Sequence, residues 1–446
     1  MLLKPSYIYL LLVLVTSAAA ALSPKAKDAL LQALRGVTLE KRQARLQNLG
    51  ALYFGKGPQK GNFSSNAKKI PVDLVPNNVN DSSIGEINQR EGVADYLFQG
   101  DINLSEEQLD RIEKSLMANG ASRAKRQVGK AAALWTNNIV YYYFDASLST
   151  RKRNMVQVAL NYIQARTCLQ FVQSSVATNR IRVFSGSGCY SSVGMLGGEQ
   201  QLSLGDGCTL IGIVAHEFMH ALGVWHMQMR DDRDNFVTID LSTVPVRFSS
   251  TASYTILPWD APYTQTIGSR TITFYDIKTI NDHYKCHDQC GAGSAVCLNG
   301  GEPNPRNCSI CNCPAGYGGA TCELRPAGCG QALTATALWQ VKQFTFGNAA
   351  VTTPRDTYME CNYRVQAPAG KQVQTRITYL KTVPCSHGCH INSIEPKVRT
   401  DMRATNPRVC CSDMLNGVFT SNLNPTPIIA YNRYLTSTFT FHYRYI

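Results

Sequence analysis

Three histidines and a glutamate within one short stretch, residues 216–226, have the types and spacing for metal chemistry. His216 and His220 are four residues apart, so on an α-helix they would lie one turn apart on the same face and could reach one ion. Gly223 can adopt the positive φ that ends a helix, after which the chain would turn back and present His226 as a third ligand. Three neutral imidazoles leave Zn²⁺ its full charge and an open coordination position for water. The stretch therefore predicts a zinc site.

Glu217 directly follows the first of these histidines and is placed to hold the metal-bound water and to transfer its proton. Water bound at such an ion has a pKa of about 7 instead of about 15.7, so hydroxide is available at neutral pH. These residues together predict hydrolysis of peptide bonds. An isolated H-E-x-x-H pattern is weak evidence, but the added Gly223 and His226 indicate the metzincin class. The alternative, three ordinary helix and loop histidines, is disfavoured because the chain contains only 8 histidines.

The stretch 216–237 resembles the astacin family of secreted zinc endopeptidases. Beyond the third histidine the family pattern continues as R-x-D-R-D, and residues 230–234 match it. The resemblance implies one Zn²⁺ ion on the three histidines, with Glu217 as general base and acid. One position departs from the family, because Met227 stands where a glutamate usually pairs with the ammonium of the mature N-terminus.

A second family feature is a turn beneath the zinc with the pattern S-x-M-x-Y, and residues 244–254 occupy the corresponding segment. Tyr254 keeps the position of the family tyrosine, which the resemblance implies can coordinate zinc and later hydrogen-bond the transition-state oxyanion. Ala252 replaces the methionine. Zinc binding is therefore better supported by the sequence than full activity.

Length and composition indicate the number of domains, the class of partner and the redox compartment. The chain has 446 residues, too many for one core of ordinary size, so two to four domains are expected. Its net charge is +13, but Lys and Arg are spread along the chain and no nucleic-acid-binding signature is present. A basic soluble surface is the simpler interpretation, and attraction to acidic substrates or matrix polymers is the alternative. The 16 cysteines, concentrated after Cys168, indicate an oxidising compartment.

The N-terminus predicts secretion. Lys4 precedes an apolar run from Ile8 to Val15, and small residues at 18–21 suit cleavage, so residues 1–21 are predicted to be a signal peptide. An uncleaved anchor is the alternative, but the run is too short to span a bilayer, and no later segment is long and apolar enough. The protein is expected to be secreted and extracellular, with no membrane span.

Residues 22–126 contain no cysteine and end with a basic tetrapeptide, which predicts proteolytic processing between Arg126 and Gln127. An ordinary basic loop is the alternative. Within this arm, the sequence F-Q-G-D at 98–101 resembles the family's inhibitory motif F-x-G-D. The resemblance implies that Asp101 ligates zinc in the latent form and displaces the catalytic water. The arm is therefore predicted to be a propeptide.

Two further patterns describe the arm and the surface. Ser105 and Gln108 have the spacing of a capping box and predict the start of a helix. N-glycosylation sequons suit an exposed secreted chain. They occur at Asn62, Asn80, Asn103 and Asn307.

The peptidase domain is predicted at residues 127–286, with an α+β, zincin-like fold of two subdomains and a catalytic helix. A strand is predicted at 134–143, a helix at 151–166 and a strand at 181–184. The segment 188–204 resembles the family's edge strand, which pairs with extended substrate, although a plain sheet edge is the alternative. The resemblance implies the disulfides Cys168–Cys286 and Cys189–Cys208.

A disulfide-rich module is predicted at residues 287–323. Its six cysteines resemble an EGF-like domain, which has no real core and depends on disulfides. Spacing alone allows 15 pairings, and zinc binding by Cys311 and Cys313 is a rival interpretation. The resemblance implies Cys290–Cys308, Cys297–Cys311 and Cys313–Cys322.

Residues 329–446 contain short β-prone runs separated by turns, which predict an all-β sandwich. They resemble a CUB domain, an adhesion and recognition module that would bind protein or glycan ligands. The resemblance implies the disulfide Cys329–Cys361. The pairing of four further cysteines stays open, namely Cys385, Cys389, Cys410 and Cys411.

The complete layout looks most like the nematode astacins that act on cuticle and matrix proteins. The sequence therefore predicts a secreted, zymogen-activated zinc endopeptidase for extracellular protein substrates. The alternative is a proteolytically weak or inactive homologue that binds partners through its EGF-like and CUB domains. Met227 and Ala252, which depart from the family pattern, favour this alternative. A structural matrix protein would require an accidental zinc motif.

Overall fold

A computed structural model describes residues 22–34, 37–54, 83–118, 132–230, 232–239 and 256–446. Several predicted features lie outside these residues. They are the signal peptide, the sequons at Asn62 and Asn80, the processing site between Arg126 and Gln127, and the turn residues Ala252 and Tyr254. Within the described ranges, no helix has the length and apolar character that crossing a membrane requires.

Four α-helices lie in the described part of the N-terminal arm. They are α1 (Pro24–Ala33), α2 (Leu39–Phe54), α3 (Ile84–Arg90) and α4 (Glu106–Ala118). The predicted capping box at Ser105 and Gln108 is confirmed, because each side chain accepts a hydrogen bond from the other residue's backbone N–H. Arg45 on α2 donates to both carboxylate oxygens of Glu113 on α4 at 2.9 Å. The arm is thus held together as a folded unit and not as an extended strap.

A five-stranded sheet forms the centre of the region predicted to be the peptidase domain, in the order β2-β1-β3-β5-β4. Its strands are β1 (Ile139–Phe144), β2 (Gln170–Gln173), β3 (Arg180–Phe184), β4 (Cys189–Ser191) and β5 (Glu199–Leu204). Only β4, at one edge, runs antiparallel to its neighbour. Two helices, α5 (Thr150–Gln164) and α6 (Ile211–Ala221), share one apolar core with the sheet.

The first strand is shorter than predicted. It begins at Ile139 and not at position 134, because Asn137 and Asn138 have positive φ values of 56° and 58°, which an extended strand excludes. The predicted helix over 151–166 and the predicted strand over 181–184 are confirmed as α5 and β3.

The described part of this region ends with one more pair of strands and a helix. β6 (Val237–Ile239) pairs antiparallel with β7 (Ile256–Pro258), and α7 (Phe274–His283) follows. Disulfides join Cys168 to Cys286 and Cys189 to Cys208, the two pairs that the resemblance implied. The second of these ties the edge strand β4 to the loop that leads into α6.

The C-terminal part begins with a disulfide-rich hairpin of β8 (Glu302–Asn304) and β9 (Asn307–Asn312). Its disulfides are Cys290–Cys308, Cys297–Cys311 and Cys313–Cys322. These are the pairs that the resemblance implied, and they occupy the two cysteines for which zinc binding was the rival interpretation.

Eight strands then form two four-stranded sheets, in the orders β10-β12-β16-β14 and β11-β17-β13-β15. They are β10 (Ala332–Thr334), β11 (Gln340–Gly347), β12 (Met359–Gln366), β13 (Val373–Lys381), β14 (Asn392–Pro396), β15 (Val418–Ser421), β16 (Thr426–Asn432) and β17 (Thr436–Tyr445). The sheets share one apolar core, to which Tyr363 and Ile428 contribute from one sheet and Ile377 and Phe441 from the other. This is a β-sandwich.

Three disulfides hold the sandwich. Cys329 pairs with Cys361 at the start of the domain. The pairing that the sequence left open is Cys385–Cys411 and Cys389–Cys410. Because residues 410 and 411 are consecutive, these two bonds fasten the short loop 385–389 to a single point of the chain.

Candidate metal centre

The helix α6 carries His216, Glu217 and His220, and its end determines where His226 lies. Gly223 has a φ of +98°, as expected for the glycine that ends the helix. A Cβ atom at this position would also lie 2.8 Å from Nε2 of His283, so a larger residue would have to displace that side chain. The chain reverses here and brings His226 back toward the first two histidines.

The three Nε2 atoms converge on one point. Nε2 of His216 lies 2.9 Å from that of His220 and 3.4 Å from that of His226. Oδ2 of Asp101 lies 3.1 Å from Nε2 of both His216 and His226, and 4.0 Å from Nε2 of His220. Zinc–nitrogen bonds of 2.0–2.1 Å in a tetrahedron place neighbouring ligand atoms about 3.3–3.4 Å apart. Four donor atoms at such separations fit a Zn²⁺ ion.

Two hydrogen bonds fix the orientation of the imidazole rings. Nδ1 of His220 donates to the carbonyl oxygen of Val224 at 2.8 Å, and Nδ1 of His226 donates to Oε1 of Gln99 at 2.7 Å. A ring that donates from Nδ1 presents the lone pair of Nε2 to a metal ion. Gln99 occupies the variable position of F-x-G-D, so the motif gave no signal for this role, and sequence reasoning missed it.

Burial and charge set the ionisation of the site. Glu217 is 0% exposed, and neither carboxylate oxygen has a hydrogen-bond partner among the described residues. Burial, followed by the charge of Asp101, raises the pKa of Glu217 well above its ordinary value. Burial, followed by the charges of His216 and His226, lowers the pKa of His220. A buried neutral imidazole next to an unpartnered carboxyl group suits a metal ion with its bound water.

Asp101 is buried as well, which by itself would raise the pKa of its carboxyl group. The neighbouring His226 and His216 outweigh that effect and hold the pKa below its ordinary value. The carboxylate is therefore charged, which is the form that ligates a cation.

The arm reaches the site along the edge of the sheet. The backbone N–H of Ser191 on β4 donates to the carbonyl of Asp101 at 3.1 Å, and the N–H of Asn103 donates to the carbonyl of Ser191 at 2.8 Å. The buried side chain of Asn88 adds two bonds, from Nδ2 to the carbonyls of Gly100 at 2.8 Å and Cys189 at 2.6 Å. The arm thus occupies the edge that was predicted to pair with extended peptides.

This arrangement contradicts one predicted glycan. Asn103 is only 5% exposed and lies against β4, so no room remains for a sugar on its side-chain amide. The sequon alone could not show this, because burial here depends on a pairing with a distant strand. Asn307 is exposed, and its glycan stays a prediction.

A cleft of about 510 Å³ is lined by His216 and His226. Met219 of α6 and residues 268–273 also line it, as do Gln99 and Asp101 of the arm. The cleft therefore borders the metal site directly. Met227, the departure from the family pattern, directly follows the third histidine and is 47% exposed.

The fold and this site define a class, the zinc metallopeptidases. A family model described as Astacin, a peptidase family, matches residues 127–248. Zinc metalloproteinase nas-32 of Caenorhabditis elegans is 41% identical over 450 residues, which cover 92% of this chain and 68% of that protein. Zinc metalloproteinase nas-31 of the same organism is 37% identical, over 90% of this chain and 72% of its own. The chain belongs to the astacin family.

Among solved structures, High choriolytic enzyme 1 of the medaka Oryzias latipes, a hatching enzyme zinc-protease, is 28% identical. The match covers 34% of this chain and 92% of that one, with a TM-score of 0.32. Membership of the family makes the protein a zinc metalloendopeptidase, a hydrolase with one zinc ion that acts on protein substrates.

The turn after α6 gives a first test. We expect Gly223→Ala to weaken zinc binding by about 10–100-fold, the range found when groups that orient metal ligands are changed, because His226 would be displaced. Competition with a chelator measures this affinity. Gly293→Ala is the matched control, since Gly293 has the same φ of +98° with no atom within 4 Å of an added Cβ. Equal zinc affinity in the two variants would contradict the role given to Gly223.

Proposed function

We propose that this protein is a secreted, zymogen-activated zinc endopeptidase in which Glu217 is the general base. The observation that carries the proposal is the buried Glu217 carboxyl group, without a described partner, beside three converging imidazoles. Asp101 completes that cluster from the N-terminal arm. A carboxyl group buried without a partner is costly unless it serves a ligand or a reaction.

In this proposal His216, His220 and His226 hold the zinc ion. When bound, zinc would polarise the attacking water and the carbonyl of the peptide bond. Glu217 takes the proton of that water and returns it to the leaving nitrogen, so the carboxyl group is unchanged after each cycle. Tyr254 is assigned the stabilisation of the oxyanion, on the strength of the family pattern alone.

Latency would follow from the arm. A carboxylate of Asp101 on the metal excludes the water that the reaction needs, and the pairing of residues 101–103 with β4 closes the edge to extended substrates. Cleavage between Arg126 and Gln127 would allow the arm to leave, which would free both the metal site and the edge of β4.

The other predicted modules complete the proposal. The signal peptide at 1–21 and the 8 disulfides support secretion. The hairpin within 287–323 is assigned to an EGF-like domain and the sandwich at 329–446 to a CUB domain, with the propeptide at 22–126 and the peptidase domain at 127–286. Extracellular matrix or cuticle proteins are the proposed substrates, and the sandwich is proposed to bind protein or glycan ligands.

Glu217→Gln tests the base. We expect hydrolysis of a peptide library by the processed chain to fall by about 10²–10⁴-fold, the usual contribution of a general base, with zinc content unchanged. Glu199→Gln is the control, since Glu199 pairs with Arg180 and Tyr143 on the sheet away from the histidines. If the parent binds zinc and cuts no peptide, the binding-protein alternative replaces the proposal.

Asp101→Ala tests latency in a chain whose Lys125 and Arg126 are both replaced by alanine, so that the arm stays attached. We expect hydrolysis by this uncleaved chain to rise at least about tenfold, which corresponds to about 1.4 kcal/mol of lost inhibition. Asp28→Ala, at an exposed position of α1, is the control. If the uncleaved Asp101→Ala chain hydrolyses peptides no faster than its uncleaved parent, Asp101 does not block the site.

A further inference from the structure

The C-terminal β-sandwich touches the peptidase region at the two features that shape the cleft. One is the first turn of α6, and the other is the segment 266–273, which we call the cleft wall. We propose that the sandwich is a structural part of the peptidase cleft, with Asp356, Gly388 and Arg408 as positioning residues for substrate binding. The proposal rests on the peptidase activity of the family and is independent of the latency proposed above.

Asp356 caps the N-terminus of α6, the helix that carries His216 and His220. Leu210, the residue before α6, has a side chain that cannot cap the helix. The carbonyl of Asp356 instead accepts from the backbone N–H of Ile211 at 3.1 Å. Its carboxylate accepts from Oγ1 of Thr209 at 3.0 Å and from Arg151 on α5 at 2.7 and 2.8 Å. A negative charge at a helix N-terminus is favourable, so the sandwich provides the cap that α6 lacks.

Arg408 positions the cleft wall. Its guanidinium group is fixed inside the sandwich, where Nε donates to Oε2 of Glu395 at 3.1 Å and the group lies 4.1 Å from the ring centre of Tyr431. The side chains of Arg408 and Glu395 are 2% and 1% exposed, so this ion pair is isolated from water. Such a pair has a defined geometry and does not adapt to its surroundings as a surface pair does.

From this fixed position Arg408 makes two bonds to the wall. Its backbone N–H donates to Oγ1 of Thr266 at 2.8 Å, and its Nη2 donates to Oγ1 of Thr271 at 3.3 Å. Thr266 is the first residue of the wall, and Thr271 lies within the part that lines the cleft. One buried arginine therefore sets the position of both.

The wall is held between the sandwich and α6. On one side, a Cβ atom at Gly388, whose φ is +74°, would lie 2.5 Å from the carbonyl oxygen of Gly268. On the other side, a Cβ atom at Gly212 of α6 would lie 2.3 Å from the carbonyl oxygen of Arg270. Both approaches are possible only for glycine. A shift of the sandwich is thus passed to the wall, and through it to the helix turn just before His216.

Further contacts make the docking specific. The hydroxyl of Tyr263 donates to the carbonyl of Thr405 at 2.9 Å, and Asp260 pairs with Arg399. The loop that carries Gly388 is fastened by Cys385–Cys411 and Cys389–Cys410. The loop therefore meets the wall as a stiff support and not as a flexible tether.

Gly388→Ala in the processed, otherwise complete chain tests the proposal. We expect the added methyl group to push on the wall and lower kcat/KM by about 3–10-fold, mainly through KM, and to change the ranking of peptides that differ beside the cleaved bond. Zinc content should stay at that of the parent. Gly370→Ala is the matched control, since Gly370 lies in the same sandwich with a φ of +76° and no atom within 4 Å of an added Cβ.

Thr266→Val and Thr266→Ser provide a second test with smaller changes in side-chain volume. The valine removes the acceptor for the N–H of Arg408, and we expect it to raise KM and alter the peptide ranking as Gly388→Ala does. The serine keeps the hydroxyl group and should behave as the parent. If Gly388→Ala fails to fold, the comparison of Thr266→Val with Thr266→Ser tests the proposal by itself.

Two results would overturn the proposal. In the first, Gly388→Ala and Gly370→Ala have the same kcat, KM and peptide ranking, and Thr266→Val matches the parent. In the second, Thr266→Val and Thr266→Ser lose activity equally and in proportion to lost zinc. Either result would make the sandwich a separate domain that is merely attached to the peptidase.

Discussion

The convergence of three imidazoles and the buried Asp101 carboxylate on one point is the constraint on which the rest of the structure depends. Lone pairs of Nε2 atoms that are 2.9–3.4 Å apart repel one another unless a cation lies among them. Asp101 and Glu217 are buried in the same place, where each charge is costly without a partner. A zinc ion would satisfy the three imidazole nitrogens and the Asp101 carboxylate together. The surrounding elements must therefore hold ligands that would otherwise move apart.

Three different parts of the chain share that task. The peptidase region supplies the helix and the turn at Gly223, which place the histidines. The arm supplies Gln99, which orients the third imidazole, and Asp101, which faces the histidines. The sandwich supplies the acceptor for the N-terminal turn of α6 through Asp356. The site is thus local in sequence but is stabilised by elements more than a hundred residues apart.

This division explains how much the sequence could predict. The candidate ligands, the neighbouring Glu217 and the helix that carries His216 and His220 follow from spacing within eleven residues, because helical periodicity is a local property. The capping box before α4 is local as well, and it was predicted correctly. The start of β1 was placed too early, since the aromatic and β-branched composition did not reveal the positive φ of Asn137 and Asn138. Local patterns predicted elements well and their boundaries less well.

Features that depend on distant contacts were missed. Nothing in the sequence near Asn103 indicates that β4 would bury it, and nothing near Arg408 connects it with Thr266. The pairing of four cysteines in the sandwich was open for the same reason, because consecutive Cys410 and Cys411 offer equivalent choices until the loop 385–389 is placed. Such information resides in the tertiary structure alone.

The edge strand β4 and the cleft wall are contacted by different parts of the chain, and the difference bears on activation. The arm contacts the edge strand β4 through backbone hydrogen bonds and the metal site through two side chains, and it belongs to the segment proposed to be cleaved. The cleft wall is held by the sandwich, which follows the predicted cleavage site in sequence and would stay with the processed chain. Removal of the arm would free β4 while Arg408 and Gly388 keep the wall in place. The processed enzyme would then combine a fixed cleft wall with a newly exposed edge strand, so extended substrates would need to order only along the freed strand.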